Sequence, residues 1–294
     1  MDKHVIETIG KVRVTVEDGK VVKVEHPKDR LEYCYLIQSM SGAKRTSIIE
    51  KLMPAIPGLG VEMRIKQWGM CTRWRVIESE DDGVDFGISE ITSCAILSNM
   101  LDSAVVACDG AGTVVAYDPK VVQGIGKAMS GLLETSPIPD VIYRLKEKGC
   151  IIPDEYNATM DQAKGLKMAF DNGWKKVGVT IADLDTAKRC RDVEKDAGKT
   201  AVLLGVHTTG MSADDAEEFM KTADIITACA SKYIREYAAK HALLQLGVAV
   251  PIFATSEIGR DILLNRIRYI KKQVLIKTTD IPELVEDRQP RPLL

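Results

Sequence analysis

Residues 105–115, VVACDGAGTVV, place a thiol, a carboxylate and two glycines between two runs of β-branched residues. Gly110 and Gly112 allow positive φ angles and close backbone approach, so successive N–H groups could cradle an anion, with Thr113 beside them. Asp109 could orient a donor or act as a general base. A tight turn between two strands, capped by Asp109, accounts for these residues equally well, and the sequence leaves both interpretations open.

Small, hydroxylated and ionisable residues also follow other predicted strands. Ligands of open α/β sheets bind outside the carboxyl ends of the strands. Capping explains serines at helix starts, but it does not require His, Cys or Lys there. We therefore predict a ligand site at this sheet edge, which adds to the 109–113 stretch the residues His207, Thr208, Thr209, Cys229, Ser231 and Lys232.

Three of these side chains are the candidates for catalysis. His207 is a candidate general acid or base because imidazole titrates near neutrality, although a hydrogen-bonded structural histidine is the alternative. Cys229 precedes a predicted helix, whose dipole would lower the thiol pKa, and Lys232 adds positive charge nearby. A small buried cysteine is the alternative there. Asp109 completes the set.

The irregular stretch 64–75 combines arginines, tryptophans and Cys71. Arginine recognises carboxylates and phosphates through paired donors, so we assign Arg64 and Arg73 to ligand binding. Trp and Arg also dominate the hot spots of protein interfaces, and an exposed strand edge is a third explanation. The sequence does not choose among these roles.

Seven cysteines are scattered along the chain and none forms a C-x-x-C pair. In a reducing cytosol they are expected to be free thiols unless they bind a metal. Iron–sulfur clusters usually show recognisable cysteine spacing, which is missing here. If a cluster exists, Cys71, Cys108 and Cys229 are its expected ligands, with Cys34 or His207 as the candidate fourth ligand. The sequence does not identify a cofactor.

The bulk composition is that of an ordinary soluble globular protein, with 45% hydrophobic and 28% charged residues and a net charge of −2. The charges of both signs are interspersed, which argues against nucleic acid as a partner. No apolar run approaches the length of a membrane span, and no secretory leader is recognisable. We therefore expect a cytoplasmic protein that does not engage a membrane.

Hydrophobic periodicity assigns most of the chain to elements. Alternation over 11–26 predicts a β-hairpin with an Asp18-Gly19 turn. A helix at 44–55 and a strand at 61–66 follow, and from about residue 84 strands and helices alternate, with Ser89 and Asp118 as helix caps. The predicted strands are 103–108, 176–181, 200–206, 224–228 and 249–253, and the helices 89–101, 119–133, 138–148, 160–172, 184–197, 212–222, 231–246 and 256–270.

This alternation predicts an α/β fold with a mostly parallel, doubly wound sheet and an N-terminal β-rich lobe. The expected division is a lobe at 1–83, an α/β domain at 84–274 and a C-terminal tail at 275–294. The polar, proline-bearing end, 286–294, is expected to be loose or packed on a neighbour.

The sequence also resembles a family, methanogenesis marker protein 8, over residues 3 to 270. The resemblance is carried by GMCT (69–72), FGISEI (86–91), DGAGTVV (109–115), VQGIG (122–126), MSGL (129–132), HTTG (207–210) and ACASK (228–232). It implies an archaeal cytosol and a link to methanogenesis, through methyl-coenzyme M reductase or its cofactors. It supplies no reaction and assigns no catalytic residue.

Three functions remain open. The first is binding or transformation of a small anionic metabolite or cofactor precursor at the carboxyl edge of the sheet, and the sequence does not decide whether that would be enzymatic. The second is a non-catalytic assembly or maturation factor for methyl-coenzyme M reductase, which would use the stretch 64–75 as its surface. The third is an iron–sulfur or other metal protein.

Overall fold

The computed structural model describes residues 2–29, 31–34, 55–129 and 131–294. Within these ranges the strands are β1 (Lys3–Glu7), β2 (Arg13–Glu17), β3 (Lys20–Glu25), β4 (Ser103–Cys108), β5 (Gly112–Ala116), β6 (Gly131–Thr135), β7 (Lys176–Ile181), β8 (Thr200–Gly205), β9 (Ile225–Thr227), β10 (Leu244–Leu246) and β11 (Ile252–Ala254). The helices are α1 (Ile56–Trp68), α2 (Ile88–Leu97), α3 (Pro119–Ala128), α4 (Pro139–Glu147), α5 (Gln162–Asp171), α6 (Leu184–Ala197), α7 (Ala213–Thr222), α8 (Lys232–His241) and α9 (Glu257–Ile267). The strands form two sheets, and the helices pack against them.

The N-terminal hairpin is confirmed. Strands β2 and β3 pair antiparallel, and Val14 and Val16 point from β2 into a small core. Asp18 and Gly19 connect the two strands with φ angles of 47° and 73°. A turn with two positive φ angles matches the right-handed twist of the strands, which is why an Asp-Gly pair marks such hairpins.

The large sheet is mixed, with strand order β10-β11-β9-β8-β7-β4-β5. Its centre, β9-β8-β7-β4, is parallel, whereas β5 at one edge and the β10–β11 pair at the other are antiparallel. The α/β class therefore stands, but a mostly parallel, doubly wound sheet is not confirmed. One reason is that α8 stops at His241, so the end of the predicted helix 231–246 becomes β10.

Helices cover both faces of this sheet. Successive residues of a strand point to opposite faces, so Val106 packs in one core and Val105 in the other. The first core contains side chains of α2, α3, α4 and α9, and the second contains side chains of α5 to α8. No helix in the described ranges combines the length and apolar character needed to cross a bilayer.

Several predicted elements differ from the structure. The predicted strand 61–66 is wrong, because it lies inside α1. Ser89 is not a cap, because Gly87 precedes α2, whereas the Asp118 cap of α3 is confirmed by its bond from the Lys120 N–H. The predicted helix 119–133 ends at Ala128, and the predicted helix 44–55 lies outside the described residues.

Strand β6 joins the small sheet, whose order is β3-β2-β1-β6. Its antiparallel pairing with β1 explains why the chain leaves the helical conformation after α3: tertiary pairing overrides a local helical pattern. The small sheet thus contains a strand, β6, from the range 84–274 that was assigned to the α/β domain. The division into domains stays a prediction. The stretch 286–294 packs on the chain itself through Leu294 and Arg291.

Candidate functional site

Strand β1 of the small sheet spans the carboxyl edge of the large sheet. Near its start, the His4 Nδ1 lies 2.7 Å from the Thr135 Oγ1, which accepts a hydrogen bond from the Gly110 N–H just after β4. At its end, Glu7 contacts His207, which follows β8. With a strand rise of about 3.3 Å per residue, these two contacts lie roughly 10 Å apart along β1. The edge is therefore divided into an Asp109 end and a His207 end.

At the first end, Asp109 is fully buried and engaged by the protein itself. Its Oδ1 accepts from the Nε of Arg75 at 2.8 Å, and its Oδ2 accepts from the Cys71 N–H at 2.5 Å. Arg75, also fully buried, donates to the carbonyls of Gly124 and Ile125 in α3 at 3.2 and 2.8 Å. Asp109 thus anchors the chain around residue 75 to α3.

The glycine-rich turn after β4 is the tight turn of the β4–β5 hairpin. Gly112 has a φ of 70°, and a Cβ on it would lie 2.2 Å from the Ala158 carbonyl oxygen. The Thr113 hydroxyl donates to Gln162 and accepts from the Asp161 N–H, both at 2.7 Å. The residues predicted to cradle an anion here contact the chain itself.

At the second end, His207 and Glu7 form a close pair. The His207 Nε2 lies 2.9 Å from the Glu7 Oε1, and the ring packs directly on the Gly131 backbone, where no Cβ would fit. His207 has a φ of 58°, and its side chain is 23% exposed, against 7% for Glu7. The hydrogen bond with His207 lowers the pKa of Glu7 to about 2, with a further contribution from Arg13. An ionised carboxylate therefore holds an accessible imidazole.

This pair makes stability depend on pH in a defined window. The pKa of Glu7 is depressed on folding, so its contribution is present above about pH 4.5 and is lost as the pH falls towards about 2. We expect the free energy of unfolding of Glu7→Gln to lie below that of the wild type at about pH 6. The two free energies should converge as the pH falls from about 4.5 to about 2. Urea denaturation at a series of pH values measures this difference.

A second variant identifies the partner. His207→Asn keeps a side chain that tolerates a positive φ, so it should remove most of the pH-dependent part that Glu7→Gln removes and leave the smaller part due to Arg13. The double variant should remove no more than Glu7→Gln alone. A wild-type advantage that is equally large at about pH 6 and at about pH 2 would show that this pair does not produce the pH dependence.

Hydroxyl groups fasten the loop after β8 to the start of α8. The Thr208 hydroxyl lies 2.5 Å from the Ser231 hydroxyl and donates to the Thr227 carbonyl at 2.7 Å. The Thr209 hydroxyl accepts from the Ala230 N–H at 3.3 Å. Thr208 and Ser231 are buried, so they position the loop.

Backbone N–H groups from these two segments converge on one oxygen atom. The Gly210 and Lys232 N–H groups donate to a main-chain oxygen of Leu294 at 3.2 and 2.9 Å. The Lys11 ammonium lies beside them, since a Cβ on Gly210 would come within 3.0 Å of its Nζ. The structure thus assembles two donors and a cation from three distant parts of the chain.

The three cysteines predicted as cluster ligands lie in two separate environments. Burial raises the pKa of Cys229 to about 11, opposite to the direction predicted from the helix dipole, and Cys34 lies next to it. Cys71 and Cys108 flank Asp109, and burial raises both thiol pKa values. Within the described part of the chain, no group of three or more His, Cys, Asp or Glu side chains is arranged to hold a metal ion.

The arginines of the stretch 64–75 also differ in setting. Arg64 belongs to α1, and burial lowers its pKa. Arg73 pairs with Asp140 at 3.2 Å and lies 5.3 Å from the ring centre of Trp74. Trp74 is 74% exposed, so this part of the stretch forms a surface beside α4.

Glu7 and Lys11 were not among the residues that the sequence singled out. Glu7 lies 200 positions from His207, and it is the last residue of an ordinary five-residue strand. A positive φ at Lys11, 61°, is visible only in the folded chain. No spacing rule connects these residues to the loop 207–210.

Comparison with known proteins gives two matches. The model of a family described as an uncharacterised protein conserved in archaea, DUF2099, matches residues 4–268. An uncharacterised protein of Methanocaldococcus jannaschii is 40% identical over 297 residues, covering 100% of both chains. Neither description mentions a ligand, a reaction or methanogenesis.

Proposed function

The chain belongs to the DUF2099 family of archaeal proteins, and from that premise we propose that it binds a small anionic ligand at the His207 end of its large sheet. The ligand class is a metabolite or cofactor precursor that carries a carboxylate or phosphate group. Its link to methanogenesis, and a cytoplasmic location, are parts of the proposal that rest on the sequence resemblance.

One observation carries the proposal: the Gly210 and Lys232 N–H groups point at a single oxygen atom beside the Lys11 ammonium. Backbone donors at a helix N-terminus favour negatively charged oxygen, because the peptide dipoles leave partial positive charge there. Here the helix is α8, and a second donor and a side-chain cation reinforce it. Three convergent groups of this kind suit an oxyanion.

The neighbouring His207 adds the capacity to move a proton. Its Nε2 is held by Glu7, as the imidazole of a general acid or base is held by an orienting carboxylate. Whether the protein only binds the ligand or also transforms it depends on whether a bound molecule reaches this ring. Asp109 and Cys229, the other two catalytic candidates, are a buried ion-pair partner and a thiol of raised pKa.

Replacing Lys11 tests the site directly. We expect Lys11→Met to weaken the binding of inorganic phosphate and of pyrophosphate at least tenfold, because the cation beside the backbone donors is removed. Isothermal titration calorimetry at low ionic strength is the measurement. Lys20→Met, which removes an exposed lysine at the start of β3, is the matched control and should bind as the wild type does.

Equal affinities of Lys11→Met and Lys20→Met would place anion binding elsewhere. Absence of phosphate and pyrophosphate binding by the wild type, across a range up to about 10 mM, the scale of very weak affinity, would remove the oxyanion class from the proposal.

A second candidate function is favoured by the exposed Trp74. An exposed tryptophan beside an arginine is typical of a hot spot in a protein interface, which suits an assembly or maturation factor for methyl-coenzyme M reductase. Direct binding to the purified reductase, with and without Trp74, separates this candidate from the first. The metal-protein alternative finds no supporting cluster among the described residues.

A further inference from the structure

The oxygen atom at the proposed anion site belongs to the chain itself. It is a main-chain oxygen of Leu294, the last residue of the printed sequence, and the Leu294 N–H donates in turn to the Ala230 carbonyl at 2.9 Å. We call residues 286–294 the strap. Arg291 holds the strap at a second point. Its N–H donates to the Tyr33 carbonyl at 3.0 Å, and its carbonyl accepts from the Tyr33 N–H at 3.1 Å.

Gln289 provides the side-chain anchor of the strap. Its Nε2 donates to the carbonyls of Val248 and Val285 at 2.6 and 2.7 Å, and its Oε1 accepts from the Nη1 of Arg235. This single side chain therefore connects the strap both to the loop before β11 and to α8.

Arg235 is a buried cation whose partners are all neutral. Its guanidinium donates to the carbonyls of Ala228, Cys229 and Ala249 and to the amide of Gln289. Burial lowers its pKa to about 10, and among the residues that the structure describes no carboxylate forms an ion pair with it. Burying a charge without a counter-charge is unfavourable, so an anion brought to this place would be stabilised.

Resting on the proposed function, we propose that the strap is an intramolecular competitor of the anionic ligand. In the closed state the Leu294 oxygen takes the donors of Gly210 and Lys232, and Gln289 covers Arg235. A bound anion displaces the strap and takes the two N–H groups, and release of Gln289 frees a donor of the buried Arg235 cation. The ligand binds in competition with the strap, so its apparent affinity becomes weaker as the closed fraction of the protein increases.

Loosening the strap at two independent points tests this. Gln289→Ala removes the side-chain anchor, and Arg291→Pro removes the N–H that donates to Tyr33. We expect both variants to bind inorganic phosphate at least threefold more tightly than the wild type in isothermal titration calorimetry. Glu286→Ala, an exposed residue of the same segment, is the control and should keep the wild-type affinity.

Hydrogen exchange of the wild type gives a readout that needs no variant. Adding phosphate should speed exchange of the Arg291 and Leu294 amides, which are hydrogen-bonded while the strap is closed. The contrary result is that the wild type, Gln289→Ala, Arg291→Pro and Glu286→Ala bind phosphate with the same affinity, with no change in exchange. That result would overturn competition by the strap and leave the proposed anion site intact. Failure of all four proteins to bind phosphate would overturn both.

Discussion

Arg75→Met is expected to lower the free energy of unfolding by about 3–5 kcal/mol, the usual consequence of removing one member of a buried ion pair. The Nε of Arg75 lies 2.8 Å from the Asp109 Oδ1, and both side chains are fully buried. The substitution leaves the Asp109 carboxylate without its counter-charge. It also removes the donor that Arg75 supplies to the carbonyls of Gly124 and Ile125.

Arg73→Met is the matched control, two residues earlier in the same segment. Arg73 pairs with Asp140, but both side chains are at least half exposed, at 60% and 50%. Exposed pairs contribute about 0–1 kcal/mol, because solvent screens the charges and the long side chain loses freedom. Urea denaturation of both variants gives the comparison. Similar losses in the two variants would mean that Asp109 and Arg75 do not anchor this part of the fold.

Gly112→Ala is expected to cost about 2–5 kcal/mol, because it combines a left-handed backbone with a steric collision. The φ of Gly112 is 70°, and the added Cβ would lie 2.2 Å from the Ala158 oxygen and 2.6 Å from the Thr159 oxygen. Backbone atoms cannot turn aside as a flexible side chain can. The hairpin and the loop over it would have to separate.

Gly198→Ala isolates the conformational part of that effect. Gly198 ends α6 with a φ of 59°, and a Cβ there would meet no atom within 4 Å. Its substitution should therefore cost only the left-handed strain of about 1–2 kcal/mol. Thermal and urea unfolding of both variants measure the difference. If Gly112→Ala costs no more than Gly198→Ala, the close approach of the loop around residue 158 does not explain the glycine.

Both experiments concern the stretch 109–113 that first suggested chemistry. The structure gives three of these residues a structural partner: Arg75 for Asp109, Thr135 for Gly110 and Gln162 for Thr113. Of the two interpretations that the sequence left open, the tight turn describes this geometry, but the Asp109 carboxylate bonds Arg75 and the Cys71 N–H and does not cap the turn. Any ligand at this end of the sheet edge would have to compete with those contacts.

The sequence was most accurate where an element is defined by its own residues. The strands 103–108 and 176–181 and the helix 184–197 begin and end as predicted, because short apolar runs and a capped 3.6-residue period are local signals. The same reasoning located polar residues at the carboxyl ends of the strands. His207 and Lys232 indeed lie at that edge.

Only the tertiary structure decided what these residues contact. Strand β6 joins β1, Glu7 holds His207 from 200 positions away, and the Leu294 oxygen takes the donors of Gly210 and Lys232. Such contacts join segments whose local patterns carry no information about one another, and several different pairings would satisfy the same periodicity. The residues at the sheet edge could therefore be read from the chain, whereas their charges, partners and accessibility are properties of the packed molecule.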